Sequence, residues 1–210
     1  MRTMPSQEVE IKLRVPHARA LRLRLKRLGA RQTIPRTYES NTLYDTPSRN
    51  LTRKGQLLRI RIEQLTADGS KLGTTRSNAA LLTYKGPSKS FPGARFKIRE
   101  EIELALESGE KMSRLLRAVG LRPVFHYEKF RTTFALPGIS NLKIEFDETP
   151  IGLFLELEGK AADIDRAAGR LGYSKSEYLT STYGDLYIAD CKRRGRKSSN
   201  MLFQTTRKSR

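Results

Sequence analysis

Apolar and charged residues alternate with a period of two along Glu8-Val9-Glu10-Ile11-Lys12-Leu13, the mark of a strand with two unlike faces. The same alternation returns along the chain. It predicts eight strands at about 7–15, 37–46, 56–64, 80–86, 95–106, 124–134, 141–147 and 152–158. Three other segments repeat their apolar residues at helical spacing. They are 17–28, with Leu21, Leu25 and Leu28 between Pro16 and Gly29; 109–119, with Met112, Leu115, Leu116 and Val119; and 161–171, with Ile164, Ala167, Ala168 and Leu171. A fourth stretch opens with Ser174 and Glu177 at capping-box spacing and runs toward Tyr187.

The order of elements is duplicated. Strand, helix and three strands occupy 7–86 and again 95–158, and Glu8-Val9-Glu10-Ile11 is echoed by Glu101-Ile102-Glu103-Leu104. Two such halves can close into one barrel, which removes every sheet edge. The expected fold class is therefore α+β: an eight-stranded antiparallel β-barrel with helices packed outside. Residues 65–79 read as a hairpin loop, and Gly86 to Gly93 as the link between the halves. Residues 1–190 form the domain on this reading, and 191–210 a basic, disordered tail.

The strand faces opposite the apolar ones carry charges of both signs. Arg59 and Arg61 share a face, as do Arg95, Lys97, Arg99, Glu101 and Glu103. Lys129 and Arg131 share another, then Lys143, Glu145 and Asp147, then Glu156 and Glu158, while Lys85 ends a further strand. If helices bury the apolar faces, these charges point into the lumen. Two like charges roughly 5 Å apart repel by about 3 kcal/mol at an effective dielectric near 20, so gathered carboxylates need cations. Mg²⁺ or Mn²⁺ suits such oxygen ligands, and Arg and Lys suit phosphate oxygens. A metal on one side and a gripped polyphosphate on the other make a phosphoryl-type site.

Charge and composition sharpen this picture. The chain has 210 residues, long enough for one well-buried domain, and 37% hydrophobic with 30% charged residues fits a globular protein. Its net charge is +19, of which the stretch from Asp190 to Arg210 supplies a surplus of seven, so the folded part is basic too and suits anionic partners. Cys191 is the only cysteine and His17 and His126 are the only histidines, which argues against a disulfide or a zinc site of the His/Cys type. No signal peptide and no membrane span stand out, so the expected compartment is cytoplasmic. Asp45 reads as a turn cap, and His126 as a hydrogen-bonded strand residue. The tail, with Arg193, Arg194, Arg196 and Lys197, is a candidate for non-specific nucleic-acid contact.

In chain order come Glu8-x-Glu10-x-Lys12, Leu43-Tyr44-Asp45-Thr46, Gly55-x-Leu57-Leu58-Arg59-x-Arg61 and Leu82-Thr83-Tyr84-Lys85-Gly86-Pro87. They are followed by Arg99-x-Glu101-x-Glu103, Lys129-x-Arg131, Glu145-x-Asp147 and Gly152-x-Phe154-x-Glu156-x-Glu158. With these motifs the chain, over roughly residues 6 to 188, resembles the CYTH superfamily, the triphosphate tunnel metalloenzymes. That group includes class IV adenylate cyclases, thiamine triphosphatases and inorganic tripolyphosphatases, and the Lys-Gly-Pro and Gly-x-Phe-x-Glu-x-Glu strands look most like the cyclase subgroup. The resemblance implies a tunnel that binds a triphosphate with divalent ions. By position it implies that Lys12, Arg59, Arg61, Lys85, Arg99, Lys129 and Arg131 bind phosphate. Glu8, Glu10, Asp147, Glu156 and Glu158 would hold metal, with Glu101 and Glu103 as further contributors. Glu8, Glu10, Lys12, Glu156 and Glu158 would form the catalytic set. The family's basic residue near the end of the domain has no counterpart in Ser181-Thr182-Tyr183-Gly184-Asp185-Leu186.

Two enzymatic readings share these residues. One converts ATP to 3′,5′-cyclic AMP and pyrophosphate; the other hydrolyses the terminal phosphate of tripolyphosphate or thiamine triphosphate. A third reading is a non-catalytic module that binds polyphosphate or RNA.

Overall fold

The computed structural model describes residues 6–66, 75–89 and 94–204. Eight antiparallel strands close on themselves in the order β1-β5-β4-β3-β2-β6-β7-β8. In chain order these are β1 (Ser6–Arg14), β2 (Arg31–Asp45), β3 (Leu57–Thr66), β4 (Thr75–Lys85), β5 (Lys97–Leu106), β6 (Arg122–Ala135), β7 (Lys143–Thr149) and β8 (Gly152–Glu158). Exchanging β1–β4 for β5–β8 reproduces the same set of neighbours, so the duplication legible in the sequence is also present in the topology.

The apolar strand faces point outward under helices, as the alternation requires. Helices α1 (Ala18–Arg27) and α4 (Ala161–Arg170) bring Leu21, Leu25, Ile164, Ala167 and Ala168 onto Ile11 and Leu13 of β1, Ile144 and Phe146 of β7, and Leu155 and Leu157 of β8. Each of the Leu, Ile and Phe side chains among these contributes about 1.5–3 kcal/mol through burial. Helix α3 (Gly109–Ala118) lays Met112 and Leu116 over Ile60, Ile62 and Leu82, and begins so close to β3 that a β-carbon on Gly109 would collide with Ile62. Gly29 and Gly172, both at positive φ, turn the chain away from the ends of α1 and α4. A short α2 (Asn50–Arg53) is held by Asp45, which accepts from the backbone of Thr46, Leu51 and Thr52 and from the Thr52 hydroxyl. Asp45 is thus the cap its sequence suggested. His126 pairs with the Thr42 hydroxyl at 2.9 Å.

Two departures from expectation have clear causes. Strand β2 begins earlier than 37, because its ladder with β6 steps across Pro35 through register shifts where a proline N–H is missing. The second departure is the C-terminus, where the expected disorder from residue 191 does not hold for residues 191–203. The capping box at Ser174 opens only a short 3-10 turn (Lys175–Glu177), and a second box, Thr182 with Asp185, starts α5 (Tyr183–Arg193). Beyond α5 the chain returns to β6, whose 126–128 backbone has no β7 partner. Met201 donates to the His126 carbonyl and accepts from the Glu128 N–H in a parallel bridge, and its side chain is fully buried. Asn200 accepts from the His126 N–H, and the Phe203 N–H donates to Glu128. The apolar trio Met201-Leu202-Phe203 was hidden in a stretch that is otherwise basic and polar. Residues 65–66 and 75–79 of the expected hairpin loop extend β3 and β4; 67–74, half of the 86–93 link (90–93) and residues 205–210 lie outside the described residues.

Candidate active site

The inward strand faces gather the charges that the alternation set aside. Opposite pairs across the ladders include Glu8 with Arg99, Glu10 with Lys97, Lys12 with Glu156, Glu39 with Lys129, Asn41 with Arg61, Arg131 with Asp147 and Lys143 with Glu158. The cavity between them measures 130 Å³ and includes in its wall Glu8, Glu10, Lys12, Arg59, Arg61, Lys85, Arg99, Lys129, Arg131, Glu156 and Glu158. Glu101, Glu103, Lys143 and Glu145 also line it, and Thr182 and Tyr183 at the start of α5 close one side. All the predicted site residues except Asp147 therefore meet in one place.

Within it, acids and bases form two groups joined by Lys12. In the first, the Lys85 ammonium donates to both oxygens of Glu8 at 2.6 and 2.7 Å, and Arg99 approaches Glu8 at 3.5 Å and Glu10 at 3.6 Å. In the second, Arg131 reaches Asp147, Glu156 and Glu145 together, while Lys129 lies 3.0 Å from Asp147 and 3.4 Å from Glu39. Lys12 lies 3.2 Å from Glu10 and 3.3 Å from Glu156. Arg59 is the exception. It is buried, and its guanidinium donates to the Tyr127 hydroxyl at 3.1 Å and the Thr83 hydroxyl at 3.3 Å, with its Nε unpartnered.

Two residues expected to hold metal are set differently from Glu8, Glu10 and Glu156. Asp147 is fully buried behind the cavity wall, and its oxygens already accept from Lys129, Arg131 and the Tyr183 hydroxyl at 2.6 Å. In this arrangement its carboxylate holds Lys129 and Arg131 in place. Glu158 is more open, paired with an exposed Lys143 at 3.0 Å and opposite Glu10 across the β1–β8 ladder. Several contributors escaped the sequence reading. Glu39, Asn41, Tyr127, Thr83 and Tyr183 all face or close the lumen, but none belongs to a run of charge. Along Thr37-x-Glu39-x-Asn41-x-Leu43 the inward face is mixed, and the outward face holds Tyr38, Ser40 and Thr42, so the contrast that reveals a strand's inner side is missing.

The donor chemistry fits a divalent cation. Burial, helped by neighbouring carboxylates, raises Glu8 to about 7 against the pull of Lys85, and it raises Glu145 to about 7 despite Arg131. Glu10, by contrast, is carried past its own burial to about 2, chiefly by Lys12, and Glu39 to about 2, chiefly by Lys129 and Arg131. Two carboxylates that burial keeps protonated toward neutrality are oxygen ligands that a hard cation could ionise and hold. Among the described residues no three acidic or His/Cys groups stand together at metal-binding spacing, because each carboxylate is tied to a base. Cation and phosphate therefore complement each other: the anion draws the bases off and frees the acids.

These shifts set a pH dependence. Glu8 and Glu145 bind their protons more tightly folded than unfolded, so their contribution to stability is present below the ordinary carboxylate value near 4.5 and is lost as pH rises toward about 7. Glu10 and Glu39 titrate below this window, and Lys97, lowered to about 8 by burial and Arg99, above it. The protein in chelator is expected to melt at a lower temperature at pH 7.5 than at pH 5.5, and a divalent ion to stabilise it more at the higher pH. Calorimetric melts at both values check this; equal melting temperatures with equal metal response would refute it.

A closed eight-stranded antiparallel barrel with interleaved carboxylates and bases in its lumen defines the triphosphate-tunnel class of fold and site. The CYTH domain profile matches residues 6–183. A Methanocaldococcus jannaschii protein, named as a candidate adenylate cyclase, is 30% identical over 159 residues, covering 75% of this chain and 79% of that one. The chain belongs to the CYTH domain family. Solved structures agree on the fold. A candidate adenylate cyclase from Vibrio parahaemolyticus superposes with a TM-score of 0.69 at 19% identity, over 87% of this chain and 98% of that one. The Hippeastrum protein HpAC1, a candidate adenylyl cyclase described as having a dominant triphosphatase activity, does so with a TM-score of 0.57 at 20% identity, over 91% and 97%. Membership of this family also implies dependence on a divalent metal.

Proposed function

We propose that this protein cleaves a triphosphate held in its lumen with Mg²⁺ or Mn²⁺. The observation that carries the reading is Arg59, a buried guanidinium in a charged cavity whose hydrogen bonds go to two hydroxyls and to no carboxylate. A buried cation left in that state is stabilised by an anion, and Arg presents the planar fork that phosphate oxygens match. Arg61, Lys85, Arg99, Lys12, Lys129 and Arg131 would add contacts along the chain of phosphates as they exchange carboxylate partners for phosphate oxygens. Glu8, Glu10 and Glu156 would hold the cation, with Glu158, opposite Glu10, as a further ligand. When bound, the ion supplies charge neutralisation on the leaving phosphate oxygens. Glu145, outside that set and titrating near neutrality, is placed to take up or release a proton at the lumen wall.

The first chemistry is cyclisation of ATP, supported by the name of the M. jannaschii relative and by the Lys85-Gly86-Pro87 and Phe154-x-Glu156-x-Glu158 strands. The ribose 3′-oxygen loses its proton and bonds to the α-phosphorus, and pyrophosphate leaves. The second is hydrolysis, in which water attacks the terminal phosphorus and a diphosphate leaves. A specific observation favours it: among the residues lining the cavity only Leu57 and the rings of Tyr127 and Tyr183 offer apolar surface, and the rest, save Thr182, are charged, so the wall suits a bare chain of phosphates better than an adenine. Chromatography of products from parallel ATP and tripolyphosphate reactions distinguishes the two. Cyclic AMP with pyrophosphate establishes the first, and orthophosphate from tripolyphosphate with no cyclic nucleotide establishes the second. In either case Glu156→Gln is expected to cut kcat by roughly 10²-fold or more, because an amide is a poor ligand for a hard cation and leaves Lys12 and Arg131 short of a partner. Arg59→Ala should act mainly on KM. No product from either substrate would end the proposal.

A further inference from the structure

The lumen does not account for the charge of this protein. Its nine bases face ten carboxylates across the ladders, so the lumen is nearly neutral and the outer surface carries slightly more than the whole net charge of +19. One concentrated part of that surplus is α1 and the start of β2. No acidic residue occurs between Glu10 and Glu39, while Arg19, Arg22, Arg24, Lys26, Arg27 and Arg31 follow one another and are all exposed. None of the six makes an ion pair with a carboxylate among the described residues; Arg24 donates to the Arg170 carbonyl at 3.5 Å. Leu21, Leu25 and Leu28 turn inward, which places Arg19, Lys26 and Arg27 on the opposite side of the helix, facing water.

Helix physics explains only half of this row. Bases in a last turn are favoured by the helix dipole, which suits Arg24, Lys26 and Arg27. Arg22 lies mid-helix, beyond the reach of the dipole, and Arg19 sits in the first turn, where the dipole repels cations. Helices α3, α4 and α5 each place an acid there, and α1 has none. Like charges one turn apart also destabilise a helix by a few tenths of a kcal/mol each. The row therefore opposes its own helix, and an anionic partner would remove the penalty.

We infer that α1 and the Arg31 region form a docking surface for the sugar–phosphate backbone of nucleic acid. Five of the six bases are arginine, the side chain that forks onto phosphate. Residues one turn apart along α1 advance about 5–6 Å, so successive bases can meet successive phosphates. A membrane surface fits less well. A helix that lies on lipid needs an apolar face to insert, and the apolar face of α1 is buried in the core; only Leu23, 48% exposed, interrupts the basic side. Contacts of this kind read charge and carry no sequence preference. The surface lies apart from the lumen and from the C-terminal bases.

The test is binding of a short 5′-labelled RNA by anisotropy across a salt series, with the full chain and with Arg19→Glu/Lys26→Glu/Arg27→Glu. All three positions are exposed and glutamate is a good helix former, so the melting temperature should hold. Wild-type affinity should fall steeply with salt. The triple variant should bind at least roughly tenfold more weakly at low salt, with the slope of log K against log salt reduced by about two to three. Arg196→Glu/Lys197→Glu, on the C-terminal segment, should lose less. Wild-type affinity and slope in the triple variant would overturn the proposal, as would a larger loss in the C-terminal variant. So would equal or tighter capture by phosphatidylserine vesicles in a sedimentation assay, which would make the surface a lipid-binding one.

Discussion

Replacing Asp147 with alanine is expected to lower the unfolding free energy by about 3–5 kcal/mol, the range found when one partner of a buried ion pair is removed. Asp147 is fully buried and accepts from Lys129, Arg131 and Tyr183. Without it two cations stay behind with their neighbours Glu39, Glu145 and Glu156 imperfectly placed to compensate, and the Tyr183 hydroxyl loses its acceptor. Urea titration in chelator measures the loss directly. The metal response separates positioning from metal binding. A residue that positions bases leaves the rise in melting temperature on adding a divalent ion in place, whereas removing a ligand abolishes it. An unchanged urea midpoint in chelator together with a lost metal response would therefore place Asp147 in the metal set.

The second large effect is expected at the C-terminus. Ending the chain at residue 198 removes Met201, which is fully buried against Tyr127 and the start of α5, and with it the backbone partners of His126 and Glu128. Deleting a buried methionine side chain costs about 2–5 kcal/mol, which for a chain of this length lowers the melting temperature by roughly 5–15 °C. The damage should reach the site, because the Tyr127 hydroxyl that Met201 backs accepts from Arg59. KM should therefore rise more than kcat falls. Met201→Leu, which keeps the volume, should behave almost as wild type. Unchanged melting and kinetics after the truncation would mean that the segment is an ornament on the barrel.

What could be read in the sequence follows from which interactions repeat. The alternation in β1, β3, β7 and β8 is strong because apolar residues meet a helix on one side and charged residues meet each other on the other, so Glu8, Glu10, Lys12, Arg59 and Glu156 fall on the correct face without a structure. Depth along a strand has no such signature. Asp147 and Glu145 occupy equivalent places in the alternation, yet one is sealed behind Arg131 and the other lines the cavity. That difference is made by Tyr183, which arrives from far along the chain. Glu39 and Tyr127 were missed for a related reason, since each stands alone on a strand of mixed polarity and gains its meaning from partners on β3, β4 and β6. The return of residues 199–203 to β6 rests on three apolar residues after a basic stretch, too few to form a pattern.

Strand β1 is the seam of the barrel, pairing with β5 on one side and β8 on the other. Its inward residues take partners from both neighbours, Glu8 from Arg99 on β5 and Lys12 from Glu156 on β8, while Lys85 reaches Glu8 from β4, one strand further round. The two halves of the chain therefore do not each hold a working half-site. The first strand made must wait for the last one to be synthesised before Lys12 meets Glu156, and in the interval one side of β1 stands as an open sheet edge. Such long-range closure is slow, because loop entropy is lost before the contacts that reward it can form. Assembly of the barrel and assembly of its chemistry are thus one kinetic event, and no partly closed form of this protein should be able to grip a polyphosphate.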